Sequence, residues 1–253
     1  MGKNKSKKAY SPNNDVLYEK AIDLYLDENK PDEALQILLE LANANYTKAF
    51  GEIGVILYRE NHDVENAEKW FIKAENNDAL SEEAAYEYGM LHYFEKDDLE
   101  KGLSYLLKAA EQGYELAYGD IGIIYYLNKS DIDQAERCFE KSEKEDALLA
   151  PAAYYYGLLL KLERNEWEKC KKYFKQSAEG DFEMAYEEYA SILYLDNIDV
   201  AEAEEYFKKA EEANRLSAPH AYTYGELLIN EKNEIERGNR YLDLAKADGY
   251  YED

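Results

Sequence analysis

The sequence contains few of the residues that cross-link a fold or bind metals. Its 253 residues include only two cysteines and three histidines. Cys138 and Cys170 stand at non-equivalent positions of the chain, so we expect no disulfide framework and a reducing compartment, the cytoplasm. The histidines show no metal-ligand spacing with each other or with the cysteines. The sequence therefore predicts neither a metal site nor a cofactor.

Long apolar runs and catalytic motifs are also missing. No run reaches the roughly 18 apolar residues that a membrane-spanning helix needs, and the N-terminus lacks the apolar segment of a secretory signal. The sequence contains no nucleophile elbow and no phosphate-binding glycine loop. With 55 acidic residues, close pairs of carboxylates are expected by chance, so such a pair does not indicate a catalytic site. We therefore expect a protein that is not an enzyme.

Basic residues are scarce, and several of them are concentrated at the start of the chain. Lysine and arginine number 30 against 55 acidic residues, which gives a net charge of −25. Residues 1–15 are polar and contain four lysines and one aspartate, so we predict a disordered lysine-rich tail. The remaining residues carry 26 basic and 54 acidic groups, or −28. Such a surface disfavours direct nucleic acid binding and favours basic proteins, although solvated acidic helix faces would explain the charge equally well.

What the sequence does contain is a regular spacing of small residues. Seven times, a small residue is followed by a second one 13 positions later. The pairs are Ala21/Ala34, Gly54/Ala67, Gly89/Gly102, Gly122/Ala135, Gly157/Cys170, Ala190/Ala203 and Gly225/Gly238. The first members are alternately 33 and 35 residues apart, so the full period is a 68-residue block. A fixed period of this size predicts a solenoid, in which each unit buries its apolar face against its neighbours.

Each repeat is predicted to form two helices joined by a short polar turn. In the third repeat the helices are expected over residues 84–94 and 99–111, with the turn at 95–98. Where the two helices cross, small residues allow their backbones to approach. Four residues after the second small residue comes a large apolar one: Leu38, Phe71, Leu106, Phe139, Phe174, Phe207 and Leu242. Another large residue follows the first small residue by three, so each spacing marks one helix face.

The ends of the second helices are predicted to alternate in type. In odd repeats an aromatic residue recurs every 68 positions, as Tyr46, Tyr114, Phe182 and Tyr250. Glycine or asparagine stands before three of the four, which is typical of a left-handed helix cap. Even repeats have a longer segment in which leucine recurs at the same period, as Leu80, Leu148 and Leu216. This alternation explains the 33- and 35-residue steps.

Two stretches resemble a known repeat family. KAAEQGYELAYGDIGIIYY, residues 108–126, and KYFKQSAEGDFEMAYEEYA, residues 172–190, are similar to Sel1-like repeats, which are relatives of tetratricopeptide repeats. The resemblance covers residues 16–253, although the Gly-x-Gly turn of Sel1 repeats is missing. It implies an all-α, right-handed α-solenoid of about seven helix-turn-helix repeats. It also implies a non-catalytic module that binds proteins or peptides on a concave face lined by the first helix of each repeat.

The resemblance further implies that groove residues lie three before and four after the first small residue of each repeat. Nine of these fourteen positions are tyrosine, and the chain has 26 tyrosines in all. Tyrosine rings among carboxylates could hold lysine or arginine by cation–π contacts and ion pairs. The rings could instead simply pack between adjacent helices. The predicted groove residues are Tyr18, Tyr25, Tyr58, Tyr86, Tyr93, Tyr126, Tyr154, Lys161, Glu187, Tyr194 and Tyr222.

The favoured function is an adaptor, chaperone or regulator that binds a basic partner, and two alternatives stay open. The first is an acidic inhibitor or immunity-type protein that neutralises a basic toxin or a nucleic-acid-binding enzyme. The second is a membrane-tethered scaffold. Met1-Gly2-Lys3-Asn4-Lys5-Ser6 fits the pattern for acylation at Gly2, and the lysines that follow would attract anionic lipid. The sequence does not predict the oligomeric state.

Overall fold

The computed structural model describes residues 12–250, and all its regular elements in that range are helical. Fourteen α-helices form seven consecutive pairs, as the small-residue spacing predicts. The pairs are α1 Pro12–Leu26 with α2 Pro31–Asn43, α3 Ala49–Arg59 with α4 Val64–Glu75, α5 Glu82–Glu95 with α6 Leu99–Gln112, α7 Ala117–Ile124 with α8 Ile132–Lys144, α9 Ala150–Leu158 with α10 Trp167–Glu179, α11 Tyr186–Leu195 with α12 Val200–Glu212, and α13 Ala218–Asn230 with α14 Ile235–Ala247. Short π-helical segments, Tyr125–Lys129 and Leu159–Glu163, extend α7 and α9, and a 3-10 turn, Glu183–Ala185, precedes α11.

The chain divides into two compact units, residues 1–118 and 119–253. In the first unit each helix packs on the next one in the chain, and the first helices of neighbouring repeats, α3 and α5, also touch. In the second unit the same pattern recurs from α8 to α14, with α11 against α13. Contacts therefore join neighbouring repeats within each unit, as in a solenoid.

The small residues lie at helix crossings. At the glycines among them, there is no room for a larger side chain. All fourteen are buried. A Cβ atom added to Gly54 would stand 2.6 Å from the ring of Phe71, and one added to Gly122 would stand 2.6 Å from Phe139. Phe71 and Phe139 are the large residues predicted four positions after the second small residue. The glycine of one helix therefore receives the ring of the other, and close packing offsets the helix cost of glycine.

Every turn of the repeat has one residue with positive φ. In the turns within repeats these are Asn29, His62, Asp97, Ser130, Asn165, Asn197 and Asn233. An aspartate N-cap follows in several repeats, and Asp63 accepts a hydrogen bond from the backbone N–H of Asn66 at 3.2 Å. Asparagine and aspartate are tolerated here because their short polar side chains suit the left-handed conformation. These turn residues fix where each helix pair folds back.

The ends of the second helices agree with one prediction and correct another. Asn45, Gly113 and Gly249 adopt positive φ in odd repeats, as predicted, and Asp181 does so as well. The predicted difference in end type is wrong, because Asp78, Asp146 and Asn214 adopt the same conformation in even repeats. Odd and even repeats differ in the length of the segment that follows this residue. The stretch from Asp78 to Gly89 is two positions longer than the stretch from Asn45 to Gly54. The extra residues form the segment that contains Leu80.

The start of α1 and the cysteines differ in detail from the expectation. Helix α1 begins at Pro12, before the predicted start of the solenoid, and the Tyr46 hydroxyl donates to Asp15 at 2.5 Å. The rest of the predicted tail, including Gly2, lies outside the described residues.

Cys170 is buried, as expected, but Cys138 is only partly buried, and neither is in a disulfide. Within residues 12–250, no helix has both the length and the apolar character needed to cross a membrane.

Candidate functional site

The predicted groove tyrosines are half-buried with one exception. Tyr154 is only 7% exposed, because its ring packs between Phe174 and Phe182 at centroid distances of 6.0 and 5.5 Å. The Tyr86 ring lies 4.6 Å from that of Tyr114. Tyr154 and Tyr86 therefore contribute to packing between helices.

In the first unit, two of the predicted tyrosines line a cleft of about 490 Å³. Tyr18 and Tyr25 come from α1, and the opposite wall is the start of α3 together with the segment before α5. That segment is the extra length found in even repeats. The cleft-lining residues are Tyr18, Glu19, Ile22, Tyr25, Leu26, Lys48, Glu52, Ala79, Leu80, Ser81, Glu82 and Glu83. Four carboxylates and one ammonium group therefore surround two tyrosine rings.

Glu52 is the buried carboxylate of this cleft, at 8% exposure. Its Oε1 accepts hydrogen bonds from the Tyr18 hydroxyl at 3.4 Å and from Ser81 Oγ at 3.2 Å. Burial raises the pKa of Glu52 to about 7, and the nearby Glu83 carboxylate acts in the same direction. Among residues 12–250, the groups that act most strongly on Glu52 include no cation. Among the described residues, the partners of this buried carboxylate are therefore two hydroxyl groups, while Lys48, the one ammonium group of the cleft, is exposed.

A network of charges on α3 and α5 lies beside the cleft. The Arg59 guanidinium donates to Glu83 at 2.5 Å and to Glu87 at 2.6 Å through Nε. Glu87 is buried and stands two residues before Gly89, as Glu52 stands two before Gly54. Glu87 thus has the cation that Glu52 lacks.

The second unit contains an equivalent arrangement two blocks of the repeat further along the chain. Glu188 takes the place of Glu52, and Lys161 takes the place of Tyr25. Lys161 Nζ lies 2.8 and 2.7 Å from the two oxygens of Glu188, and His220 Nε2 lies 3.5 Å from Oε2. Burial raises the pKa of Glu188, but His220 and Lys161 outweigh it, so the net shift is downward. The chain supplies its own cation, Lys161, here.

The second unit also contains a smaller cleft of about 280 Å³, which Glu188 does not line. Tyr154 and Glu187, two of the predicted groove residues, line it together with the segment before α13. The Glu187 carboxylate accepts from the backbone N–H of Ser217 at 2.6 Å, and Ser217 Oγ lies 2.7 Å from His220 Nδ1. The Glu187 carboxylate is therefore part of a hydrogen-bond network with Ser217 and His220.

The remaining predicted groove residues are distributed along both units. Burial and the Glu95 carboxylate raise the pKa of the half-buried Tyr58 to about 12. In four further cases the ring or hydroxyl lies against a neighbouring residue: Tyr93 edge-on to Phe94, Tyr126 at 6.3 Å from Tyr155, Tyr222 at 5.5 Å from Tyr250, and the Tyr194 hydroxyl accepting from Asn230 at 3.4 Å. These residues form part of the packing between side chains as well as of the surface.

Sequence reasoning missed the buried carboxylates two residues before the small residue. The predicted tyrosine stripe consists of the third position before and the fourth position after the first small residue of each repeat. It therefore does not include Glu52, Glu87 and Glu188. Aligning the chain with itself at a shift of two blocks pairs Glu52 with Glu188 but pairs Glu87 with Thr223, and it does not show that any of them is buried. In the described part, no group of three or more histidine, cysteine, aspartate or glutamate side chains is arranged to hold a metal ion.

Comparisons with known proteins bear on the fold. A sequence model of the family described as plant tetratrico peptide repeats matches residues 64–148. No curated protein matches the chain. The protective antigen c5321 of uropathogenic Escherichia coli, which has an SLR fold, is similar in structure, with a TM-score of 0.67 and 17% sequence identity. The match covers 94% of this chain but only 54% of that protein, so the chain spans about half its length.

Two further solved structures are similar over most of their own lengths. A Sel1 repeat protein from Oxalobacter formigenes has a TM-score of 0.62 and 19% identity, with 91% of this chain and 99% of that one covered. The pilF protein of Pseudomonas aeruginosa has a TM-score of 0.59 and 16% identity, with 81% and 94% covered. At these identities the likeness concerns the fold. Together with the seven helix pairs, the comparisons confirm the fold: the described residues form an α-solenoid of helical repeats, which resembles Sel1-like and tetratricopeptide repeat proteins.

Proposed function

We propose that this protein is a non-catalytic interaction module that binds a basic protein or peptide along the predicted tyrosine stripe. Solenoid repeat proteins use extended concave surfaces for binding. The observation that supports a basic partner is the cleft in the first unit, where Tyr18 and Tyr25 stand among Glu19, Glu52 and Glu82.

The chemistry of this cleft matches a cationic side chain. A tyrosine face attracts a cation through its quadrupole, and a carboxylate adds an ion pair. The protein forms such contacts with its own lysines. Lys73 Nζ lies 4.2 Å from the ring centroid of Phe50, and Lys172 Nζ lies 4.4 Å from that of Tyr173. A net charge of −25 would also speed the approach of a basic partner.

The test is titration of the full chain with a blocked lysine–glycine peptide and with the same peptide carrying norleucine in place of lysine. Binding of the lysine peptide should weaken as salt rises, because exposed charges are screened. Binding of the norleucine peptide should be undetectable. Equal binding of both peptides, or binding of neither, would contradict the proposal.

A further inference from the structure

The two units contain the same carboxylate site in two different states. Glu188 has partners within the chain, since the Lys161 ammonium reaches it from the preceding repeat and the His220 imidazole from the following one. At the equivalent positions of the first unit, Tyr25 replaces Lys161 and Ala84 replaces His220. Both of these internal partners are therefore missing around Glu52, while the buried carboxylate is retained.

The first-unit cleft has room where the second unit has a lysine. Its volume is about 490 Å³, and both Glu52 and Tyr25, which stands at the position of Lys161, line it. The second-unit cleft of about 280 Å³ is lined by Glu187 rather than by Glu188 or Lys161. Glu52 lines the first-unit cleft and is 8% exposed, so an arriving cation would meet it away from bulk water. A charge-assisted contact is stronger in such a place than at the surface. The second unit shows that a lysine ammonium fits such a carboxylate at 2.7 Å.

We propose that the Glu52 cleft is a pocket for one lysine side chain of a partner, which occupies the place that Lys161 takes in the second unit. This inference rests on the proposed function and adds the anchoring residue. Tyr18 and Tyr25 would flank the aliphatic part of the lysine, and its ammonium group would donate to Glu52.

Occupation of this pocket is coupled to the ionisation of Glu52. Burial raises the pKa of Glu52 to about 7, so near neutral pH the empty site is partly protonated. An ammonium group binds the ionised form, so binding releases a proton. The titratable and charged groups that face Glu52 are Tyr18, Glu19 and Tyr25 on α1, Lys48 before α3, and Glu82 and Glu83 on α5. Glu83 is already paired with Arg59, and Lys48 is exposed.

The deciding experiment is calorimetric titration of the full chain with the blocked lysine–glycine peptide, in two buffers of different ionisation enthalpy, at several pH values. Because only the ionised fraction of Glu52 binds, affinity should be about tenfold weaker at about pH 6 than at about pH 8. The difference in heat between the two buffers should report proton release. An arginine–glycine peptide, compared in parallel, should bind more weakly, and equal binding would contradict a pocket for an ammonium group.

Two variants test the pocket from opposite directions. Glu52→Gln removes the charge while keeping an acceptor for Tyr18 and Ser81, and Tyr25→Lys supplies an internal lysine, as in the second unit. Both should weaken the lysine peptide by about tenfold or more and abolish proton release. Glu40→Gln removes one exposed charge from α2 and is the matched control, with affinity close to that of the unaltered protein.

The outcomes separate this inference from the proposed function. If the peptide binds and both variants retain full affinity and proton release, the pocket is not the anchor, and binding elsewhere on the stripe still stands. If the peptide does not bind the unaltered protein at any pH, the proposed function itself fails. Thermal unfolding of each variant confirms that any loss of binding occurs in a folded protein.

Discussion

Lys161 Nζ lies within 2.8 Å of both carboxylate oxygens of Glu188, and Glu188 occupies the same repeat position as Glu52. In the second unit, this ion pair gives the Glu188 carboxylate a cation as partner. The equivalent carboxylate of the first unit, Glu52, has no such partner among the described residues. A solenoid makes such comparisons direct, because each repeat offers the same backbone positions with different side chains. The difference between the two sites leads to predictions about stability as well as binding.

Replacement of Glu52 should change how stability depends on pH. Its pKa is raised to about 7 in the folded protein from an ordinary value of 4.5, so between these values the folded state holds a proton that the unfolded chain has released. The contribution of Glu52 to stability is therefore complete below about pH 4.5 and falls as pH rises, by up to about 3 kcal/mol above pH 7. Glu52→Gln should remove this slope.

The measurement is urea unfolding of the unaltered protein and of Glu52→Gln across that pH range. The free energies of unfolding should differ most at high pH, where the variant should be the more stable. Glu40→Gln should follow the unaltered protein at each pH. A Glu52→Gln profile parallel to that of the unaltered protein would show that Glu52 has an ordinary pKa.

Replacement of Lys161 should destabilise the second unit. Lys161→Met keeps most of the side-chain volume but leaves the buried Glu188 carboxylate with the His220 imidazole as its remaining partner among the described residues. Losing one partner of a buried pair leaves an uncompensated charge, so we expect a loss of about 1–3 kcal/mol. Adding Glu188→Gln should restore part of that loss. A double variant no more stable than Lys161→Met would contradict the coupling.

Replacement of His92 should stabilise the protein, and more so at acidic pH. His92 is buried where five other repeats have leucine, and neither ring nitrogen has a hydrogen-bond partner within the described residues. Burial lowers its pKa, with Lys101 acting in the same direction. The unfolded chain therefore takes up a proton near pH 6.5 that the folded protein does not, and stability falls as pH drops through that value.

His92→Leu should remove this loss and raise the free energy of unfolding by about 1 kcal/mol even at neutral pH, because two unsatisfied polar atoms are removed. Thermal unfolding at about pH 5.5 and at about pH 7.5 checks both effects. His62→Asn is the control, since His62 is exposed and asparagine accepts its φ of 52°. A His92→Leu variant less stable than the unaltered protein at both pH values would contradict this account.

Replacement of Gly54 tests the packing of the repeat. A Cβ at this position would lie 2.6 Å from two carbon atoms of the Phe71 ring, so the ring must move. We expect Gly54→Ala to cost about 1–3 kcal/mol, although alanine favours the helix by about 1 kcal/mol.

The first repeat combines an alanine, Ala21, with a leucine, Leu38, at the positions of Gly54 and Phe71. Phe71→Leu should therefore be less harmful in the Gly54→Ala variant than in the unaltered protein. A double-mutant cycle by urea unfolding measures this coupling, and simple additivity would exclude it.

Much of the fold could be predicted from local features of the sequence. The 13-residue spacing of small residues located all seven helix pairs, and the large residues such as Phe71 proved to be those that fill the space over the glycines. Glycine and asparagine before the aromatic residues indicated the helix ends. These features repeat at fixed intervals because each repeat solves the same packing problem, so one repeat predicts the next.

The site depended on contacts between repeats. The tyrosine stripe was visible from composition and spacing, and its members Tyr18, Tyr25 and Lys161 lie around the two carboxylate sites. Spacing could not show that Tyr154 is buried, or that Glu52 is. Burial depends on which side chains of the neighbouring repeats cover a position, and these belong to distant parts of the sequence.

The sequence alone therefore determined the helical repeat, its 68-residue block and its acidic character, since these follow from periodic small residues and from charge. The tertiary structure decided which carboxylates lie away from water and which of them have a cation within reach. That decision rests on distances between side chains of different repeats: 2.7 Å from Glu188 to Lys161, and no equivalent cation at Glu52 within the part of the chain that the structure describes. An ion pair needs two groups to meet in space, and spacing along the chain does not specify that meeting.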